Sequence, residues 1–140
     1  MKYLKLALRL IAAVILFQTL FFKFTGAEES KFIFSSLGVE PWGRWLAGAS
    51  ELVACILLLL PATQALGALA AIGIMAGAIM SHLFVLGIVV QNDGGLLFGL
   101  ACVVLVASAG VVALNQEQIF AFMRMLKAQL ESRKNHIKDV

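Results

Sequence analysis

Long apolar segments alternate with short polar ones along most of this chain. A membrane-spanning helix needs about 20 largely apolar residues, and four segments meet that requirement, at about residues 4–24, 45–60, 66–90 and 96–114. Pro61 ends the second segment, and the turn-forming sequence Gln-Asn-Asp-Gly-Gly separates the third from the fourth. The pattern therefore predicts four transmembrane helices, with an outer loop at 25–44 and two short turns.

The C-terminal segment 115–140 has a different pattern. Its apolar residues, from Ile119 to Leu130, recur at helical spacing on one face, and basic residues lie mostly elsewhere. This predicts a basic amphipathic tail on the cytoplasmic side that lies on an anionic lipid surface. A helix that binds a partner protein is the alternative. Asn115 and Gln118 have the spacing of a capping box at its start.

Composition supports a membrane protein of one domain. Hydrophobic residues make up 61% of the 140 residues and charged residues only 14%, whereas soluble domains carry about 25% charged residues. The fold expected is all-α, an integral membrane four-helix up-down bundle with a C-terminal amphipathic surface helix. The net charge is +3, and the charged residues are concentrated at the ends and in the first loop. The expected partner is therefore the lipid bilayer, and no nucleic acid is expected.

The distribution of basic residues predicts the orientation. Three lie before or within the start of the first helix and five follow the fourth helix, which makes eight on one side, against three in the outer loop. Basic residues favour the cytoplasmic side, so both termini are expected in the cytoplasm. The basic N-terminus also resembles a signal peptide, but we interpret it as an uncleaved first helix.

Several polar side chains fall within the predicted helices at one depth. From the rise per helical residue, Glu51 and Gln18 lie about 9 Å, and His82 about 12 Å, below the outer helix ends. Lys23 lies at the outer rim, and Ser81 precedes His82. Ionisable groups in lipid are costly and commonly functional. We therefore predict an outer site where Glu51 and His82 handle protons and Lys23, Gln18 and Ser81 bind a ligand; a structural Glu–Lys or Glu–His pair is the alternative.

Other residues suggest packing or anchoring roles. Cys55 and Cys102 lie in apolar segments without a CxxC motif, which predicts free thiols. The only histidine outside the spans is His136, in the tail, so no haem, metal or nucleotide site is expected. Arg9 is expected to reach the cytoplasmic headgroups.

Small residues recur at four-residue spacing on the last two predicted spans. Gly73, Gly77 and Ser81 form one such row, and Gly95 and Gly99 form another. Small residues at this spacing let helix backbones approach closely in membranes. The rows predict close helix packing and leave a homo-oligomer possible.

Four ordered motifs resemble those of the DoxX family of small bacterial membrane proteins with four helices. They are Arg9 in the first helix, Lys23-Phe24 at its outer end, Phe34-Ser-Ser-Leu-Gly-Val-Glu-Pro41 in the loop, and Gly48-Ala-Ser-Glu51 in the second helix. The resemblance covers roughly residues 5–114. The chain departs from the family pattern in lacking a glycine shortly before Lys23 and in having one extra residue before Pro41.

The resemblance implies a bacterial inner (plasma) membrane protein, and a quinone as the first ligand to consider. Some DoxX-like proteins are membrane subunits of quinone-linked oxidoreductases. The resemblance implies that Lys23 and Glu51 of this chain occupy family-type positions. A redox partner subunit would then hold the electron-carrying centre. Two other functions stay open: a small proton-coupled transporter or channel, and a membrane anchor or scaffold for a partner protein.

Overall fold

The computed structural model describes residues 1–138, which form six α-helices and no β-strand. The helices, in chain order, are α1 (Lys2–Thr25), α2 (Glu28–Ser36), α3 (Trp42–Leu59), α4 (Gln64–Ser81), α5 (Leu96–Leu114) and α6 (Gln116–Lys138). A π-helical turn, His82–Leu86, continues α4. Four of these elements, namely α1, α3, α4 with its π turn, and α5, are long and apolar enough to cross a membrane. The prediction of an all-α membrane bundle is confirmed.

The four long helices form a closed ring. Each packs beside the next along the chain, and α5 returns to pack against α1. Alanines and a few larger side chains, such as Leu16, Leu58, Val104 and Val111, fill the centre and are completely buried. Large apolar side chains cover the outside, with Val106 70% exposed. Such a surface requires lipid, because water would leave it unfavourably solvated.

The helix bounds differ from the expected ones at the outer side. The loop predicted at 25–44 contains the short helix α2, and α3 begins at Trp42, directly after Pro41. The third span was expected to reach residue 90, but it ends at Leu86. Its end is set by Gly87, whose φ of +80° is a conformation that favours glycine. Hydropathy alone does not register that change, because residues 88–90 are as apolar as the helix.

Arg9 connects two helices at the predicted cytoplasmic end. Its Nε donates a hydrogen bond to the carbonyl oxygen of Leu58 at 2.8 Å, and its Nη2 donates to that of Leu59 at 2.6 Å. These carbonyls belong to the last turn of α3, where no intrahelical donor is left. A cation beside a helix C-terminus is favourable in its own right, and the expected reach of Arg9 to the headgroups stays a prediction.

The junction between α5 and α6 is held by amides. Asn115 Nδ2 donates to the Val111 carbonyl at 2.7 Å, and its Oδ1 accepts bonds from Lys5 Nζ and Gln64 Nε2. Gln118 Nε2 donates to the Pro61 carbonyl. The predicted capping box was wrong, because the Asn115 side chain bonds to α1, α4 and α5, and the Gln118 side chain bonds to Pro61 and to the N–H of Ala65. Ile119 and Phe122 are partly buried, and the later apolar side chains of α6, from Met123 onward, are exposed.

Close helix contact occurs at glycines other than those predicted. A Cβ at Gly67 would meet the backbone of Leu57 and Leu58, so α3 and α4 touch there. A Cβ at Gly73, Gly77 or Gly99 would meet nothing within 4 Å. The predicted close approach along these three glycines was therefore wrong. Gly73 and Gly77 instead line a cavity between the helices.

Candidate functional site

A buried ion pair joins α1 to α3 in the half of the bundle next to α2. Lys23 Nζ lies 2.9 Å from Glu51 Oε1 and 3.1 Å from Glu51 Oε2. The Glu51 side chain is only 3% exposed, and that of Lys23 is 16% exposed. Gly48, one turn before Glu51, leaves space on this face, where the ring of Phe24 lies against it. A carboxylate this deep in the bundle is stabilised by its partner, since an unpaired one would be very costly.

Thr19 completes the coordination of the carboxylate. Its hydroxyl donates to Glu51 Oε2 at 3.2 Å, with the Leu16 carbonyl as an alternative acceptor at 3.0 Å. Thr19 precedes Lys23 by four residues, so both lie on one face of α1. Gln18 points about 100° away from Thr19 around the helix axis, as the period of 3.6 residues requires. Its side chain is exposed on the lipid-facing surface of the bundle.

Arg44 fixes the outer end of α1 against the start of α3. It is 5% exposed, and its guanidinium donates to the Lys23 carbonyl oxygen. Its Nε also donates to both carboxylate oxygens of Glu40, at 2.9 and 3.0 Å. Through its own backbone, Lys23 is therefore tied to the helix that carries Glu51. Arg44 is a positioning residue for the pair.

The ion pair faces a cavity of about 470 Å³ between the helices. Apolar side chains from α1, α3, α4 and α5 form most of its wall, and α2 covers its outer side with Ser30, Ile33 and Phe34. Besides the pair and Thr19, the polar side chains of the lining are those of Glu29, Ser30, Ser50 and Ser81. Small-molecule sites commonly have this size and composition, with a few polar groups in an apolar wall.

The comparison with protein families agrees with the motifs around the pair. A family model described as DoxX matches residues 4–87, which is more than half of the chain. The chain belongs to the DoxX family. The match covers α1 to α4 with the π turn, and so includes Lys23, Glu51, Thr19 and Arg44. The resemblance seen in the sequence extended further, to about residue 114. No curated protein and no solved structure matches the chain.

The structure places His82 of this DoxX protein apart from Glu51. The imidazole is buried, but it does not line the cavity. Its Nδ1 lies 2.8 Å from the Gly87 carbonyl oxygen, and its ring packs edge-on against Phe98 at 5.7 Å between centroids. Ser81 does line the cavity, and its hydroxyl donates to the Gly77 carbonyl at 2.9 Å. Of the five site residues predicted, the cavity thus brings together Glu51, Lys23 and Ser81.

Asp93 holds the outer turn beside His82. Its carboxylate accepts hydrogen bonds from the backbone N–H groups of Val90, Gly95 and Leu97, at 2.8 to 3.0 Å. Loss of hydration opposes ionisation, but these three bonds together outweigh it and lower the pKa of Asp93 below its ordinary value. The residue stabilises the start of α5 as an anion near a helix N-terminus.

The chemistry of this DoxX site is that of a hydrogen-bonding, protonatable group in an apolar chamber. Lys23 and Glu51 neutralise each other, so the pair presents polarity without net charge. Within residues 1–138, no three His, Cys, Asp or Glu side chains are grouped as a metal site would require. Both cysteines are free, with Cys55 buried and Cys102 partly buried.

Sequence reasoning missed two residues of the site, Thr19 and Arg44. The signal for Thr19 was its four-residue spacing from Lys23, which places both residues on one face of the helix. Gln18 is the more polar residue, but it lacks that spacing. The signal for Arg44 was its four-residue spacing from Glu40, a favourable ion-pair spacing in a helix.

Proposed function

We propose that this DoxX protein is a quinone-binding membrane subunit of a redox system. The observation that carries the proposal is the Lys23–Glu51 pair, with Thr19, at the wall of a mostly apolar cavity within the membrane. A quinone ring is apolar in its body and has two carbonyl oxygens that accept hydrogen bonds. It therefore matches a mostly apolar cavity that carries a few hydrogen-bonding groups.

The charge balance of the pair favours a neutral ligand. An ion entering the cavity would face two opposite charges that already satisfy each other, and it would lose its hydration. A neutral quinone avoids that cost. The Lys23 ammonium has three N–H donors, and its contacts to Glu51 leave a donor available for a quinone carbonyl oxygen. The Ser50 and Ser81 hydroxyls line the same cavity.

Reduction of a quinone to a quinol consumes two electrons and two protons. In this proposal the electrons come from a redox partner subunit, which would hold the electron-carrying centre. Glu51 and Lys23 hold and transfer the protons at the ring oxygens, since both are ionisable and in contact with each other. His82 is bonded to the Gly87 carbonyl and does not line the cavity, so the proposal assigns the proton transfer to Glu51 and Lys23.

The experiment that tests the proposal is quinone extraction, followed by mass analysis, of the protein purified from membranes in mild detergent. We expect quinone in near-stoichiometric amount in the wild type, and a clear loss in Glu51→Gln, whose amide cannot form the ion pair. The matched control is Glu29→Gln, because Glu29 lines the same cavity but is exposed. If neither wild type nor control retains quinone, also after addition of excess quinone, the proposal is wrong.

We also propose the orientation indicated by the basic residues. Eight lysines and arginines on the side of the termini, against three in the outer loop, place both termini in the cytoplasm and the ion pair near the outer face of a bacterial inner membrane. A cysteine at position 38 and one at 136, in a chain lacking Cys55 and Cys102, would report this. A membrane-impermeant thiol reagent added to intact cells should modify only position 38.

The two rival functions predict different results. A transporter needs a path through the inner half of the bundle, but Ala12, Ala54 and Leu58 fill that region and are buried. Proton-gradient-dependent solute flux in liposomes would support this rival. An anchor is favoured by the exposed apolar face of α6. If Glu51→Gln keeps full function in the cell while deletion of 116–140 abolishes it, the anchor function is the better description.

A further inference from the structure

The seam between α3 and α4 changes along its length. At the inner end the helices touch, because Gly67 lies against the backbone of Leu57 and Leu58. Farther from the connecting turn the cavity lies between them, with Leu46 and Ser50 of α3 and Gly73 and Gly77 of α4 in its lining. A Cβ at either glycine would meet nothing within 4 Å. The seam is therefore closed beside the connecting turn and open at the level of the ion pair.

This space connects the cavity with the lipid-facing surface of the bundle. Gly73 and Gly77 line the cavity and are themselves exposed, and Leu46 on the opposite helix lines it while being 60% exposed. A shallow groove continues down the same seam between Val53 and Ala70, and it shares Ser50 and Ile74 with the cavity. All of these residues lie within the membrane-spanning parts of α3 and α4. The surface reached through the seam is therefore covered by lipid.

We propose that this seam is a lateral opening, bordered by Leu46, Ser50, Gly73 and Gly77, through which the ligand's hydrocarbon chain extends into the bilayer. The ligand is then an amphiphile from the membrane. Its polar end lies at Lys23 and Glu51, and its chain lies in the groove. The identity of the polar end rests on the proposed function, whereas the opening itself does not.

The glycine row explains why the opening exists. A glycine inside a helix is less favourable than an alanine, and no close helix contact compensates for it at Gly73 or Gly77. The absence of side chains there keeps the seam free. The apolar wall and the lipid-level position both exclude a hydrated solute from this route, since its water would have to be removed.

A photolabelling experiment tests the opening without any quinone. The protein is reconstituted in phosphatidylcholine vesicles that contain a lipid with a diazirine on its acyl chain. After illumination, labelled residues are located by peptide mass spectrometry. We expect label on Met75 and Val104, which line the cavity and are at most 5% exposed, as well as on the lipid-facing Val106.

The variant that separates the outcomes is Gly77→Leu. Its side chain enters open space, so the helix is expected to fold normally. Label on Met75 and Val104 should fall strongly relative to Val106. Gly99→Leu is the control, because Gly99 also has open space around it but does not line the cavity. Label confined to Val106 in the wild type, or unchanged labelling in Gly77→Leu, would overturn the opening.

A second measurement compares two quinones with the same ring, one without a side chain and one with a ten-carbon chain. In Gly77→Leu, affinity for the chain-bearing quinone should fall about tenfold or more, as an overpacked contact would cause. Affinity for the ring alone should change by less than about twofold, because it needs no space in the seam. If neither quinone binds the wild type, the proposed function fails, while the photolabelling result still decides whether the opening exists.

Discussion

Removal of either partner of the Lys23–Glu51 pair should have unequal effects on stability. Lys23→Met leaves a carboxylate that is 3% exposed and has only the Thr19 hydroxyl as a donor. Glu51→Gln leaves an ammonium whose side chain is 16% exposed and lies near the outer end of α1. Its flexible stem can bring the charge to the interface, and the new amide oxygen can still accept a hydrogen bond.

The expected magnitudes follow from these environments. Loss of one partner of a buried pair costs roughly 3–5 kcal/mol when the other stays buried, so we expect about 3 kcal/mol for Lys23→Met. For Glu51→Gln, where a hydrogen bond is weakened and the cation relocates, about 1 kcal/mol is expected. The double variant should cost about 2 kcal/mol less than the sum of the single ones, as contacting residues in a network do.

The assay is equilibrium unfolding with SDS in mixed micelles, followed by tryptophan fluorescence. Trp42 and Trp45 begin α3, so the signal comes from the helix that carries Glu51. Glu29→Gln is the control and should stay within about 0.5 kcal/mol of the wild type, because it is an exposed residue. Additivity of the two single variants within about 0.5 kcal/mol, or a larger cost for Glu51→Gln than for Lys23→Met, would refute the reasoning.

Two further predictions use the same unfolding assay. Gly67→Ala should lower the free energy of unfolding by about 2 kcal/mol, because the new methyl group would meet the α3 backbone. Gly99→Ala should raise it by about 0.5 kcal/mol, because its methyl group enters open space. Equal effects of the two variants would contradict the close contact at Gly67. Asp93→Ala should cost about 1 kcal/mol at neutral pH, as loss of a helix-start acceptor does. Because the pKa of Asp93 is lowered by folding, its contribution is complete above the ordinary aspartate pKa of about 3.9 and disappears as the pH falls through the lowered value. The difference between wild type and variant should therefore vanish in strong acid, and a difference that grew there would contradict this assignment.

The sequence predicted the bundle well, because apolar length and turn residues report directly on membrane helices. Depth along each helix was equally informative, since it brought Lys23 and Glu51 to one level. Rotation about the helix axis was harder to predict. Gln18 and Thr19 differ by one residue in depth but by about 100° in direction, and only the second faces Glu51.

Two other parts could not be read from residue type. His82 was expected beside Glu51 because of its depth, but the π turn at 82–86 places its ring against Phe98 and the Gly87 carbonyl. No pattern of apolar residues encodes such a turn. The Gly73–Gly77 row has the spacing of a close helix contact, yet the same spacing also serves an opening. Whether such a row forms a contact or an opening depends on the distance to the neighbouring helix, and the spacing of residues in the sequence does not determine that distance.

The contact between Arg44 and the Lys23 carbonyl has a consequence for how this chain can evolve. It joins the end of α1 directly to the start of α3, so the path of the intervening loop need not determine the distance between Lys23 and Glu51. Residues 26–39 are thereby released from a geometric constraint and can accept insertions at little cost to the pair. The extra residue before Pro41, relative to the DoxX loop pattern, is the kind of change that such an arrangement tolerates. The loop on this face can therefore change in sequence and length, and with it the molecules that this face contacts. The Lys23–Glu51 pair beneath the loop stays fixed.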